Sequence, residues 1–320
     1  KVVMRRMKNF LKNNVNIIFK KSIFVAFLIV GISFILTGCK GGATSTNHSA
    51  VVEGSVFNME DMAVLGNENY ENFIHRRFFV IWDDAGVLHY IRVNNNVPRH
   101  NYDWNNLIQG DNYLYYGNDG IATSKVGVDV SKHQGNINWN RVATAGIDYA
   151  IVRLGFRGYK NGAIVKDEYY DQNMSGANAA QIPVGVYFYS QAINYDEGVE
   201  EAQFVLNNLG GYAINYPIVY DTEDAAQENA RTNNISVTDR TDALVGFCET
   251  IKAAGYEPVV YAGKNWIALS LDMERLKTYK LWYAQYADVP ELPYNFIMWQ
   301  YTNKGTVDGI NGEVDLNIGF

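Results

Sequence analysis

Cysteine, histidine and proline are scarce in this chain, and each scarcity removes a class of explanation. Two cysteines, Cys39 and Cys248, among 320 residues are too few for the disulfide framework of a small secreted domain. Only one of the five histidines, His133, lies beyond residue 125. A zinc hydrolase asks for two or three histidines beside a carboxylate, so that part of the chain assigns no metal. Six prolines and 48% apolar residues describe a folded body, not a disordered one. No apolar run reaches the roughly 20 residues of a comfortable bilayer span. Positive charge is in the minority after residue 38, with 20 basic against 34 acidic side chains, a balance of −14. Such a body has no electrostatic reason to seek nucleic acid or an anionic membrane. Gly155, Gly158 and Gly162 lack the spacing of a phosphate-cradling loop, and no cofactor is called for.

The N-terminus has the opposite balance. Residues 1–38 carry seven basic side chains and no acidic one. A short uncharged run from Ser22 to Leu36 follows the basic stretch, as in a secretory signal. Leu36-Thr37-Gly38-Cys39 resembles the lipobox of bacterial lipoproteins. That resemblance implies cleavage before Cys39 and its lipidation, with the protein exported and anchored to the outer face of the cytoplasmic membrane. The rival reading is an uncleaved apolar anchor, which also puts the body outside the cytoplasm.

Residues 39–54 are small and polar and read as a tether. Arg77–Trp82 and Val87–Val93 flank Asp83-Asp84-Ala85-Gly86, the pattern of a β-hairpin. With the run Tyr113–Tyr116, residues 55–120 form a small β-rich unit, suited either to binding cell wall or to packing on its neighbour. Beyond it, residues 126–320 alternate strand and helix. Strand runs recur at Val126–Val130, Tyr149–Leu154, Val184–Tyr189, Pro217–Tyr220, Pro258–Tyr261, Leu281–Ala284, Phe296–Gln300 and Val314–Leu316. One helix is expected from an Asp196 cap, with Val199, Ala202, Leu206 and Leu209 on one face. Another is expected from about Thr238 to Ala254, stopped by Gly255. Eight strands with helices between the earlier ones predict an α/β fold, an irregular TIM-like β/α barrel. A doubly wound open sheet is the alternative. Cys248 falls beside a helical apolar stripe and reads as a buried thiol.

Polar residues gather at the expected strand ends: Asp129, then Asp221 and Glu223, then Gln300 and Asp315. Tyr187, Tyr189, Tyr261, Trp282 and Trp299 lie beside them. That rim is where β/α barrels build active sites. Residues i and i+2 of an extended segment face the same way, about 6.5 Å apart at the usual rise, so Asp221 and Glu223 can share one cleft. Two acids held close cannot ionise independently. A protonated acid beside an ionised one is what glycoside hydrolysis uses. Carboxylates grouped this way can also hold calcium or magnesium, and the aromatic residues suit either sugar faces or a barrel core.

Gly127-Val128-Asp129-Val130-Ser131-Lys132-His133-Gln134-Gly135, Pro217 to Glu223, Trp299-Gln300-Tyr301 and Val314-Asp315-Leu316-Asn317 resemble the motifs of glycoside hydrolase family 25 muramidases. The resemblance implies cleavage of the β-1,4 bond between N-acetylmuramic acid and N-acetylglucosamine in peptidoglycan. It implies an irregular barrel, parallel first and antiparallel at its end. Carried over, Glu223 is the general acid, Asp221 its carboxylate partner, and Asp129 and Asp315 the two supporting acids. Tyr187, Tyr189, Tyr261, Trp282, Trp299 and Gln300 are the expected sugar contacts. The rival function is a glycan-binding lipoprotein that keeps the barrel without turnover. No oligomeric state is assigned.

Overall fold

The computed structural model describes residues 77–82 and 88–320. The signal segment 1–38, Cys39, the tether and the turn Asp83 to Gly86 lie outside the described residues. The hairpin expected around that turn pairs β1 (Phe78–Trp82) antiparallel with β2 (Leu88–Arg92). Then β3 (Leu107–Gln109), β4 (Leu114–Asn118) and β5 (Ile121–Ala122) form an antiparallel meander. Hairpin and meander both rest on the larger C-terminal body. Phe79 is buried with its ring 5.3 Å from that of Tyr294. Tyr102 stacks on Phe320 at 4.2 Å and donates a hydrogen bond to the Phe296 carbonyl at 2.7 Å.

That body runs β6 (Lys125–Val130), α1 (Trp139–Thr144), β7 (Tyr149–Arg157), β8 (Ile164–Lys166), α2 (Tyr170–Ala179), β9 (Val184–Tyr189), α3 (Tyr195–Asn207) and β10 (Ile218–Asp221). It continues through α4 (Val237–Ala253), β11 (Pro258–Gly263), α5 (Lys264–Ser270), α6 (Met273–Leu276), β12 (Lys280–Ala284), β13 (Met298–Gly305) and β14 (Val314–Gly319). Neighbouring strands pair in parallel from β6 through β13, with β8 added as an antiparallel flap on β7. β14 runs antiparallel to both β13 and β6 and closes an eight-stranded barrel. The reversal is the antiparallel end that the family resemblance implies, and it corrects only the placing of Asp315 at a strand's far end. Asp315 stands near the start of β14, and it reaches the same rim as Asp129 only because this strand runs the other way.

Both faces of the strands are covered, as parallel sheets require. Val126, Val128 and Val130 of β6 face outward, among residues that pack beneath the helices. The barrel interior holds Tyr149, Ile151, Val219, Val259, Tyr261, Trp282 and Met298. Gly127 is an interior position where a Cβ would fall 2.1 Å from the Tyr149 ring, so the tyrosine plug at the closed end needs glycine there.

Two helices match their sequence signals in different degrees. α4 is capped by the Ser236 side chain, and Gly255 follows its end at φ +88°. α3 is capped by Asn194, whose side chain accepts from the Glu197 amide, and Asp196 falls in its first turn. Its buried face is Gly198, Glu201, Ala202 and Val205, with Val199 and Leu206 only half-buried. The reason is close contact with α4. A Cβ on Gly198 would lie 1.8 Å from the Ala243 carbonyl oxygen, and one on Gly246 would lie 2.4 Å from that of Tyr195.

Candidate active site

Strand alternation carries the site residues inward at the open end of the barrel. Asp129, Asp221, Glu223 and Asp315 line one cavity of about 210 Å³ with Tyr187, Tyr261, Trp282 and Gln300. A wider open groove of about 450 Å³, lined by Asn136, Asn138, Trp139 and Gly176, brings in no carboxylate. Size therefore does not identify the site; chemistry does.

Asp129 is buried, and two amides hold it. Gln300 and Asn317 donate to its Oδ2 at 2.9 and 2.8 Å. Those amides are themselves oriented: Tyr261 and Tyr286 each donate to Gln300 Oε1 at 2.9 Å, and Trp282 Nε1 donates to Asn317 Oδ1 at 2.8 Å. Asp315 pairs with Asp129 across β14 and β6, and their carboxyls are hydrogen-bonded. Burial raises both, but the amide donors favour the charged form of Asp129. Burial and then the Asp129 charge raise Asp315 to about 8, so the two acids lose their protons in separate steps. Among the described residues no group of three or more His, Cys, Asp and Glu side chains is arranged to hold a metal ion.

Asp221 ends β10 and is buried. Burial raises its carboxyl well above the usual range, and the charges of Glu223, Asp129 and Asp315 add to this, against Arg153. Its Oδ1 has no hydrogen-bond partner among the described residues. An orphaned buried acceptor costs about 1–3 kcal/mol, a penalty that a substrate donor would relieve. Glu223 opens to solvent at the mouth. Burial, then the charges of Asp315 and Asp224, raise it to about 7, so near neutrality it is divided between its two forms.

Glu223 lies beyond β10, in the irregular strap 222–236, so a set of contacts outside the cavity governs its position. Trp266 Nε1 donates to Thr222 Oγ1 at 2.9 Å, and the Arg240 guanidinium lies 4.5 Å over the Trp266 ring. At the far end, Arg231 grips both oxygens of Glu197 at 2.6 and 2.7 Å and donates to the Gln191 carbonyl at 3.1 Å. Between these anchors Ala226 takes a left-handed φ of +50°, its amide donating to Asp224 Oδ1 at 2.9 Å.

One expected sugar contact is corrected. Trp299 alternates with Met298 and Gln300 and so points outward. It is fully buried, donates to the Gln285 carbonyl at 2.8 Å and packs near Trp104. Tyr189, two residues beyond Tyr187 and so on the same side of β9, is half-buried at the rim. Burial and the charges of Glu223 and Asp221 raise its phenol. His133 sits exposed in a short turn after β6, and Cys248 is buried on α4 with its thiol pushed up by burial.

The structure adds Tyr286, Asn303, Asn317 and Arg153. Arg153 stands on the inward side of β7, ion-paired to Asp167 at 2.7 Å. Its alternation with Tyr149 and Ile151 is a sequence signal that could have found it. Tyr286 and Asn303 lie beyond strand runs and carry no such signal.

Residues 128–310 match the family described as glycosyl hydrolases family 25. Lysozyme M1 of Streptomyces globisporus is 28% identical over 201 residues, covering 60% of this chain and 66% of that protein. The autolytic lysozyme of Clostridium acetobutylicum is 24% identical over 192 residues, covering 60% of this chain and 54% of that protein. The chain thus spans between half and two thirds of the length of these curated relatives. The crystal structure of the bacterial lysozyme from Streptomyces coelicolor aligns with a TM-score of 0.53 at 26% identity, over 61% of this chain and 91% of that one. The modular autolysin LytC from Streptococcus pneumoniae, solved with a synthetic peptidoglycan ligand, aligns with a TM-score of 0.57 at 26% identity, over 75% of this chain and 56% of that one.

Proposed function

The chain belongs to glycosyl hydrolases family 25, and from that premise we propose that it is a peptidoglycan hydrolase cleaving the β-1,4 bond between N-acetylmuramic acid and N-acetylglucosamine. The observation that carries this reading is the convergence of four carboxylates and their aromatic neighbours on one cavity. Glu223, near 7, is matched to give a proton to the leaving glycosidic oxygen at neutral pH. Asp221, deep in the cavity with Oδ1 unsatisfied, is the group to pair with positive charge or an acetamido N–H at the reacting sugar. Asp129 and Asp315, opposite each other on β6 and β14, hold negative charge beneath the sugar carbon as it becomes oxocarbenium-like. Tyr187, Tyr261 and Trp282 supply an aromatic lining against which a sugar can seat, with the Tyr261 hydroxyl and the Trp282 N–H already given to Gln300 and Asn317.

The basic, apolar and Leu36–Cys39 segments support export and lipid anchoring at the outer face of a bacterial cytoplasmic membrane. Peptidoglycan strands would be the macromolecular partner there.

The test is release of new reducing ends from purified peptidoglycan, with borohydride labelling to identify the sugar exposed. Muramic acid is expected at the new end. Glu223→Gln is expected to lower kcat by roughly a thousandfold, the scale of a lost general acid. A labelled glucosamine end would refute the bond assignment, and equal release by the variant would refute the acid assignment. No release by the wild type would favour a binding role for the same barrel.

A further inference from the structure

The β1–β2 hairpin lies outside the residues that match the family, and β1 is buried or half-buried along its length except at its last residue. Phe79 and Ile81 are buried in the main core. Trp82, the last residue of the strand, is 61% exposed. A single exposed apolar residue is ordinary, but Trp82 has company. Tyr286 is 54% exposed and lines the acid cavity, Val289 is exposed on the same segment, and Leu269 is exposed on α5.

Polar contacts connect these residues along one stretch of rim. α5 starts immediately after β11, at the open end of the barrel. Its Asn265 amide donates to the Trp82 carbonyl at 3.5 Å. Lys264, one residue earlier, forms an ion pair with Glu291, in the segment that carries Tyr286 and Val289. Trp266, one residue later, bonds Thr222 beside Glu223. The last residue of β1 is thus tied, through α5, to the stretch of rim that carries Thr222 and Glu223.

The chemistry of that stretch selects its occupant. The exposed indole offers a flat face for C–H groups, and the Asn265 side-chain amide, which reaches the Trp82 carbonyl, keeps an oxygen for a hydroxyl or acetamido donor. An anionic lipid surface would want lysines and arginines around the ring. Here Lys264 is neutralised by Glu291, and the body beyond residue 38 carries an excess of acid.

We propose that Trp82 and Asn265 form a distal sugar-binding subsite through which the N-terminal hairpin grips a glycan strand whose scissile bond lies among Asp129, Asp221, Glu223 and Asp315. This rests on the hydrolase reading above and extends it to polymer recognition. A strand long enough to reach both places is held better than a short oligosaccharide.

The experiment compares kcat/KM on insoluble peptidoglycan and on a short soluble muropeptide-derived oligosaccharide, for wild type, Trp82→Ala, Trp82→Phe and Ile121→Ala. Ile121 is 70% exposed in the β5 strand, and its change is the surface control. Trp82→Ala is expected to lower the polymer-to-oligosaccharide ratio about fivefold, the scale of one lost aromatic contact. Trp82→Phe should recover most of that ratio, and Ile121→Ala should match the wild type. A wild-type ratio in Trp82→Ala, or an equal loss on both substrates, overturns the subsite. So does a loss of binding to vesicles of anionic lipid with glycan binding kept. If the wild type turns over neither substrate, the hydrolase reading fails separately. Co-sedimentation with peptidoglycan then still tests the subsite, and equal sedimentation of wild type and Trp82→Ala overturns it.

Discussion

At the scale of single residues, the general-acid role proposed for Glu223 links environment to rate. Its carboxyl is raised to about 7, first by burial and then by the charges of Asp315 and Asp224. A general acid must carry its proton, so kcat/KM should decline above about pH 7, by ~tenfold for each further unit. Asp224→Asn tests the electrostatic part. Asparagine keeps an oxygen for the Ala226 amide, which now bonds Asp224 Oδ1, but it removes a negative charge near Glu223. Less repulsion favours the ionised acid, so Glu223 should lose its proton sooner and the alkaline limb should move to lower pH. A pH–rate profile measures this. A limb that stays in place, or moves to higher pH, would mean that another group sets it.

At the scale of elements, the strap 222–236 is the part whose placement matters most. It has no ladder of its own beyond β10 and depends on side-chain anchors at both ends. Arg231 is a positioning residue: it touches Glu197 and the Gln191 carbonyl and does not line the cavity. Arg231→Ala should lower kcat by roughly ten- to hundredfold through misplacement of Glu223, with KM changed far less. Arg231→Lys should recover part of the loss, because it restores the charge but not the two-pronged grip on Glu197. Steady-state kinetics on both variants decide it. Equal falls in activity and in the fraction folded, with kcat per folded molecule unchanged, would make the clamp purely structural.

The hairpin and meander belong to the same scale. Of the small β-rich unit expected over residues 55–120, residues 55–76 and 83–87 lie outside the described residues; β1 to β5 fall in the remainder, where Phe79 and Tyr102 pack against Tyr294, Phe296 and Phe320. Packing on the neighbour is one of the two roles open to it, and Trp82 keeps the other in play.

At the scale of the whole molecule, the acid cluster ties stability to pH. Asp221, Glu223, Asp315 and Glu201 all have carboxyls raised by burial. Each folded-state pKa lies above its unfolded value near 4, so between about pH 4 and pH 8 the folded chain binds more protons than the unfolded one. These groups therefore take stability away as pH rises through that window, each ceasing to add to the loss once the pH has passed its own raised value. Asp221→Asn removes one such charge. Its melting temperature should exceed the wild type's by about 3 °C or more at pH 8, with the gap shrinking toward zero at pH 4. Thermal unfolding at the two pH values checks the sign. A constant gap would show that the effect is packing, not charge. Stability gained with loss of activity is the trade expected where a site holds acids against their solvation preference.

Much of this architecture is legible in the residue order, because its causes are local. Period-two apolar runs, caps such as Ser236 and stops such as Gly255 depend on neighbours a few positions away. The four acids stand out because strand ends can be located from the same patterns. The inward face of each strand is harder to read. When both faces are buried, Gln300 and Trp299 look equally suited to either, and only the closed ring sends the glutamine in and the tryptophan out. The reversal of β14 and the partners Asn317 and Tyr286 arise from pairings between distant segments. So do the raised carboxyls, since repulsion among Asp129, Asp221, Glu223 and Asp315 depends on distances that exist only after the barrel has closed.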